Sequence, residues 1–135
     1  MNPSDKRRKK RYAIRHSTVS YKKGGLLSAL ASSSPKYTLI NINALGVSLS
    51  TQESLKVGES LRLTIEIPKA EEPIRASGRV AWVKPDGQPG THQVGVQFTS
   101  IREPSRSLLK KLLDNTILEN IHVSANVHVK NVRKV

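Results

Sequence analysis

The chain contains no cysteine. Disulfides and thiolate metal sites are therefore excluded, and the composition fits a reducing compartment, so a cytoplasmic location is expected. Long apolar runs are missing too. The longest patch, Leu26 to Ala31, is broken by Ser28 and is far too short to cross a bilayer. The N-terminus is basic, but no apolar stretch comes after it. That predicts no secretory signal and no membrane span. Aromatic residues are scarce: one Trp, one Phe and three Tyr. A surface for single-stranded nucleic acid needs exposed rings on which bases stack, so this class is disfavoured. Trp82 and Phe98 are expected in the core.

Catalytic signals are thin as well. Asp and Glu are few and scattered, with no general acid/base pair. His16, His92, His122 and His128 fall in separate predicted elements and lack metal-ligand spacing. Ser107-x-x-Lys110 matches a nucleophile spacing, but it stands in a Leu-rich helical pattern without companion motifs. Neither GxxxxGK nor GxGxxG is present. These observations argue against an enzyme and against a metal or resident cofactor.

What the chain does have is positive charge. It carries 23 Lys/Arg against 10 Asp/Glu, a net charge of +13. Residues 1–23 hold nine of the cations and one acid, a net of +8, and the other 112 residues hold only +5. At the centre of that excess, Lys6 to Arg11 reads KRRKKR. Six adjacent like charges repel one another and stay solvated, which predicts an arm that seeks an anion. Phosphate, nucleic acid and anionic lipid are all candidates.

The rest of the chain reads as β-structure. Tyr12 to Tyr21 is rich in β-branched and aromatic residues and predicts one strand, with Val19 and Tyr21 on a shared face. Gly24-Gly25 breaks it, and Lys22 to Lys36 reads as a loop whose LLSALA patch rests on the core. Tyr37 to Ile42 and Val47 to Thr51 predict strands around an Asn43-Ala44-Leu45-Gly46 turn. Leu61, Leu63, Ile65 and Ile67 alternate with polar residues, the pattern of a half-buried strand. Ile74 to Val83 is a long strand whose internal Gly78 signals a bulge or bend. Val94 to Phe98 is the last of the set. Pro104 marks a helix start, at N1, and Leu108, Leu109, Leu112, Leu113 and Ile117 recur at helical spacing. Ile121 to Val129 alternates again and is either an added strand or a tail. The fold class is all-β with a C-terminal helix: a small antiparallel six-stranded barrel capped by one amphipathic helix. The domain reading is a basic arm over 1–11, the barrel with its helix over 12–118, and a tail over 119–135.

Two segments then resemble a known family. Arg7-Arg8-Lys9-Lys10-Arg11, directly before a strand, fits an Arg-x-x-x-Arg element. Asn41-Ile42-Asn43-Ala44-Leu45-Gly46 fits an Asp/Asn-x-Ser/Ala-x-x-Gly turn. Together with Val57-Gly58, Gly78 to Trp82 and Val94 to Phe98, in that order, they resemble the PilZ domain, a bacterial receptor for cyclic di-GMP. The resemblance implies that cyclic di-GMP is the ligand, that no catalysis occurs, and that Arg7, Arg8, Arg11, Asn41, Asn43 and Gly46 bind it. An arginine fork suits phosphate oxygens or the O6/N7 edge of guanine. Arg15 forms a second Arg-x-x-x-Arg with Arg11, but inside the predicted strand, and ranks lower. Asn41 can donate to and accept from a guanine edge. Gly46 is expected to allow positive φ and close approach to a ligand. The family's third turn position is usually Ser or Ala; Asn43 stands there, and its amide either crowds the base or adds a hydrogen bond. The implied partners are cyclic di-GMP and a protein whose identity the sequence does not name. Two alternatives stand beside this reading: an interaction module of pilus or motility machinery that has lost nucleotide binding, and a basic barrel that grips nucleic acid.

Overall fold

A computed structural model describes residues 16–24 and 32–115. Six strands succeed one another: β1 (Thr18–Lys23), β2 (Tyr37–Ile42), β3 (Gly46–Thr51), β4 (Ser60–Glu66), β5 (Ile74–Pro85) and β6 (His92–Ser100). All pairings are antiparallel, and they close into a barrel in the order β1-β2-β3-β6-β5-β4. Closure leaves no long unpaired edge. A helix, α1, covers residues 105–115. The all-β barrel with one C-terminal helix is thus the observed architecture.

Alternation places the core. Val19 and Tyr21 from β1, Leu61, Leu63 and Ile65 from β4, and Val94 and Val96 from β6 all point inward and are buried. Helix α1 adds Leu109 to this cluster, with Leu108, Leu112 and Leu113 partly buried against it. Ile67, expected to continue β4, lies just beyond the strand but still packs on the core.

The first strand differs from the reading of the sequence. It begins at Thr18, not Tyr12, and it includes Lys22 and Lys23. His16 adopts φ 65°, a left-handed conformation that an extended ladder does not accommodate. At the other end, β4 templates the two lysines, with Lys22 opposite Arg62 and Lys23 opposite Leu61. Residues 12–15, the apolar patch at 26–31 and the alternating segment at 121–129 lie outside the described residues.

The start of the helix also differs by one position. The helix runs from residue 105, and the Pro104 carbonyl accepts from the Leu108 N–H at 3.0 Å, so Pro104 stands just before the first helical residue. The Glu103 carboxylate accepts from the Ser107 N–H at 3.1 Å and the Ser107 hydroxyl at 2.7 Å. Those bonds hold the Glu103 carboxyl below the usual carboxylate range. Ser107 and Lys110 do not act as a pair: Lys110 bridges to Asp114 at 2.9 Å.

One polar cluster is set inside the barrel end. The Tyr21 hydroxyl donates to Glu53 at 2.7 Å and shares a 3.0 Å hydrogen bond with Thr51. The Tyr21 ring stacks on Tyr37 with centroids 6.0 Å apart. Burial, chiefly, raises the Tyr21 phenol well above its ordinary value; the Thr51 hydrogen bond lowers it in part, and the Glu53 hydrogen bond and charge add smaller raising effects. The sign of the consequence is fixed. Below about pH 10 the phenol is protonated in both folded and unfolded chains. Above it the unfolded chain loses the proton first, so stability falls as pH rises, by at most about 1.4 kcal/mol per pH unit. Urea unfolding across this range should show a steeper loss for the native chain than for Tyr21→Phe. Parallel slopes would show that Tyr21 does not hold its proton on folding.

Candidate functional site

The Asn41–Gly46 segment joins β2 to β3. Asn43 organises it locally. Its N–H donates to the Gly46 carbonyl at 2.9 Å, and its Oδ1 accepts from the Leu45 N–H at 2.8 Å and the Gly46 N–H at 3.0 Å. An Asn side chain is suited to this because its carbonyl mimics a backbone turn acceptor. Asn43 is buried. The turn is also tied to β6, since the Phe98 N–H donates to the Leu45 carbonyl at 2.7 Å. Leu45 itself is 55% exposed.

Gly46 departs from expectation. Its φ is not positive; among the described residues the glycines with positive φ are Gly58, Gly87 and Gly90. It is extended, and the close approach is to the neighbouring strand. A Cβ on Gly46 would collide with the Val96 carbonyl oxygen. Glycine lets β3 run against β6 at this point.

Two bulges then decide what faces outward. Leu39 pairs with Leu49, but Asn41 pairs with Ser48, so Ile40 is an extra residue in β2. Val80 pairs with Val96, but Trp82 pairs with Gly95, so Ala81 is an extra residue in β5. Each extra residue reverses the alternation beyond it. Asn41 and Trp82 therefore join Ser48 and Gly95 in one row across β2, β3, β6 and β5, on the outside of the barrel.

Trp82 is accordingly not a core residue, contrary to the reading of the sequence. It is half-buried and lies on Gly95, where any Cβ would collide with the indole. The Lys84 ammonium stands 5.3 Å from the ring centroid, within cation–π range. Phe98, in contrast, packs partly buried against the core as expected. Ser48 in the same row is buried, and its hydroxyl has no partner among the described residues. An open cleft of about 220 Å³ runs along this row, lined by Asn43, Leu45 and Gly46 on one side and Trp82, Gly95 and Gln97 on the other.

A model of one family matches the chain from residue 5 to residue 115: the PilZ domain. The chain belongs to the PilZ domain family. Solved structures agree with this assignment of fold. YcgR from Escherichia coli, in complex with c-di-GMP, matches with a TM-score of 0.67 at 12% identity, over 90% of this chain and 50% of that one. The K. pneumonia MrkH–c-di-GMP complex matches at 0.66 and 18% identity, over 87% and 55%. The Bacillus subtilis inhibitor of motility, MotI/DgrA, matches at 0.59 and 19% identity, over 83% and 52%. The present chain thus spans about half the length of these relatives. No curated protein matches it.

On this PilZ barrel, the cleft brings together Asn43 and Gly46 from the motif turn, and Asn41 stands in the outward row beside it. Arg7, Arg8 and Arg11, together with Arg15, lie outside the described residues. The described chain begins next to the turn: the Ser17 carbonyl accepts from the Leu39 N–H at 3.0 Å, on the stretch of β2 that leads to Asn41. Trp82 lines the cleft, and the sequence reading did not place it there. A Trp two residues past a Val at an inward position reads as inward too and carries no visible mark of a bulge, although the glycine at Gly95 that makes room for it was a usable signal. Among the described residues, no group of three or more His, Cys, Asp or Glu is placed to hold a metal, and no helix is long and apolar enough to cross a membrane.

The turn should be sensitive to both of its special residues. Asn43→Ala removes the acceptor for two backbone donors and should cost about 1–2 kcal/mol. Gly46→Ala forces β3 away from β6 and should cost about 1–3 kcal/mol. Urea unfolding measures both, and an unchanged midpoint in either variant would show that the turn relaxes onto other partners.

Proposed function

We propose that this PilZ domain is a receptor for cyclic di-GMP without catalytic activity of its own, and that the basic segment before β1 closes over the ligand. The observation that carries the proposal is the outward row Asn41–Ser48–Gly95–Trp82 beside the Asn43–Gly46 turn. It sets the Asn43 amide and the Trp82 indole on one open cleft, with Asn41 in the row beside it, in a family with relatives solved in complex with c-di-GMP. The ligand has two phosphates and two guanines, and each type of group has a match.

In this reading Arg7 and Arg11 supply planar forks to phosphate or to the guanine O6/N7 edge, with Arg8 assisting. Arg11 is five Cα–Cα steps from His16, and such a stretch spans up to about 17 Å. The Nδ2 of Asn43 is the donor that the turn does not use; its Oδ1 is already committed. Asn43 therefore serves the site as turn former first and as donor second. Asn41 reads a guanine edge. Trp82 offers the indole face now near Lys84, where a purine or an arginine plane can replace the ammonium. Gly46 and Gly95 keep the floor low.

Ligand binding acts as a switch through charge. The like charges of Lys6 to Arg11 repel one another until an anion neutralises them. A segment ordered by the ligand alters the surface presented to a protein partner. Lys6, Lys9 and Lys10 add salt-dependent attraction rather than specificity.

Isothermal titration at physiological salt should show binding of cyclic di-GMP in preference to GMP and GTP. Arg7→Ala with Arg11→Ala should abolish it, and Lys9→Ala should leave it nearly unchanged. Trp82→Ala should weaken it by about 1–3 kcal/mol if a base stacks on the indole. Equal losses from the lysine and arginine variants would mean diffuse electrostatic attraction. No binding by the native chain would favour an interaction module that has lost the nucleotide.

A further inference from the structure

We infer that the outer face of β1, β4 and β5 is a second anion-binding surface, built for the phosphate backbone of a nucleic acid. It lies away from the nucleotide cleft. In the closed ring, the β1–β4 seam is on the side opposite the β3–β6 seam that carries Ser48 and Gly95.

A like-charge pair lies at its centre. Lys22 in β1 is directly opposite Arg62 in β4. Arg62 is opposite Ser77, and Arg75 is opposite Thr64, two residues along the same face, so the three cations are direct and diagonal cross-strand neighbours. Like charges placed directly opposite across a sheet are destabilising. The usual remedy is an adjacent carboxylate, and it is not used. Among the described residues the ion pairs are Lys23–Glu59, Lys36–Glu66 and Lys110–Asp114. Lys36–Glu66 neutralises one flank of this face, Lys23–Glu59 lies off it, and the centre stays positive.

The centre is also recessed. Lys22, Arg62 and Arg75 line an open cleft of about 570 Å³, together with Arg102 and the hydroxyl residues Thr64 and Ser77. Two carboxylates, Glu72 and Glu103, also border it. Glu103 is engaged by Ser107, and the balance stays cationic.

The surroundings select the ligand class. A protein interface has an apolar centre with aromatic or aliphatic anchors. Among the described residues the exposed large hydrophobics are Leu45 and Val57, and neither borders this cleft. The one ring that does, Tyr21, is buried. Arginine forks and hydroxyls without an apolar anchor suit phosphate oxygens. The lack of an exposed ring leaves no platform for base stacking. Recognition is therefore of the backbone and independent of sequence. Because the two clefts are on opposite sides, a nucleotide and a nucleic acid can be held at once.

Fluorescence anisotropy of the full chain with two labelled DNA duplexes of unrelated sequence, over a salt series, tests this. The duplexes should bind equally. Arg62→Gln with Arg75→Gln should make the slope of log K against log salt shallower by about two, while Lys110→Gln should not change it. The same double variant should titrate with cyclic di-GMP as the native chain does, which separates this surface from the nucleotide cleft. Arg62→Gln should also raise the thermal midpoint at low salt more than at high salt, because it relieves repulsion. An unchanged salt slope in the double variant, or a lowered midpoint in Arg62→Gln, would overturn the inference. So would binding to phosphatidylserine vesicles that exceeds binding to the duplex and is lost in the double variant.

Discussion

In a closed barrel every side chain of a strand has two destinations, the core or the outer face, and the pleat alternates them without exception until a residue is added. This constraint governs the molecule. Ile40 in β2 and Ala81 in β5 are such additions. Each leaves its strand paired, and each inverts the inward and outward positions of the residues after it. Asn41 and Trp82 reach the outer face because of them, and Val83 returns to pair with Val94 on the inner side. A candidate binding surface is thus produced without loss of the core. Gly95 completes it by leaving space on the neighbouring strand for the indole.

The turn between β2 and β3 shows how one residue can serve two ends. In the family pattern the third position is usually Ser or Ala, and Asn43 looked like a source of crowding or of an added hydrogen bond. Its position settles part of the question. The carbonyl oxygen is taken up by the N–H groups of Leu45 and Gly46, so it faces the turn, and the amide nitrogen is the end left over. The extra bulk is accommodated by burial within the turn. Gly46 has a similar double character, since what it permits is contact between strands and not an unusual φ.

Charge is distributed in two ways. The run from Lys6 to Arg11 is visible as a block, and its chemistry comes from adjacency alone. The cations outside that run seemed dispersed. Strand pairing gathers some of them. Lys22, Arg62 and Arg75 are separated by up to 53 positions along the chain, and the register of β1, β4 and β5 makes them neighbours. Glu66 on the flank is drawn into a pair with Lys36, which concentrates the remainder.

Patterns of short range were legible in the sequence. Alternation at Leu61, Leu63 and Ile65, the boundaries of β2, the bulge at Gly78 and the Leu-rich helix depend on residues within a few positions of one another, and the barrel class was inferred from them. The family motifs were legible for the same reason, being contiguous. What required the tertiary structure was every property set by a partner strand. The start of β1 at Thr18 depends on His16 and on pairing with β4. The outward turn of Trp82 depends on a two-against-one match with β6, and the role of Gly46 depends on the Val96 carbonyl. A sequence specifies which faces are apolar, because hydrophobicity belongs to the residue. It does not specify register, because register belongs to a pair of strands, and a shift of one residue moves a side chain from the core to the site.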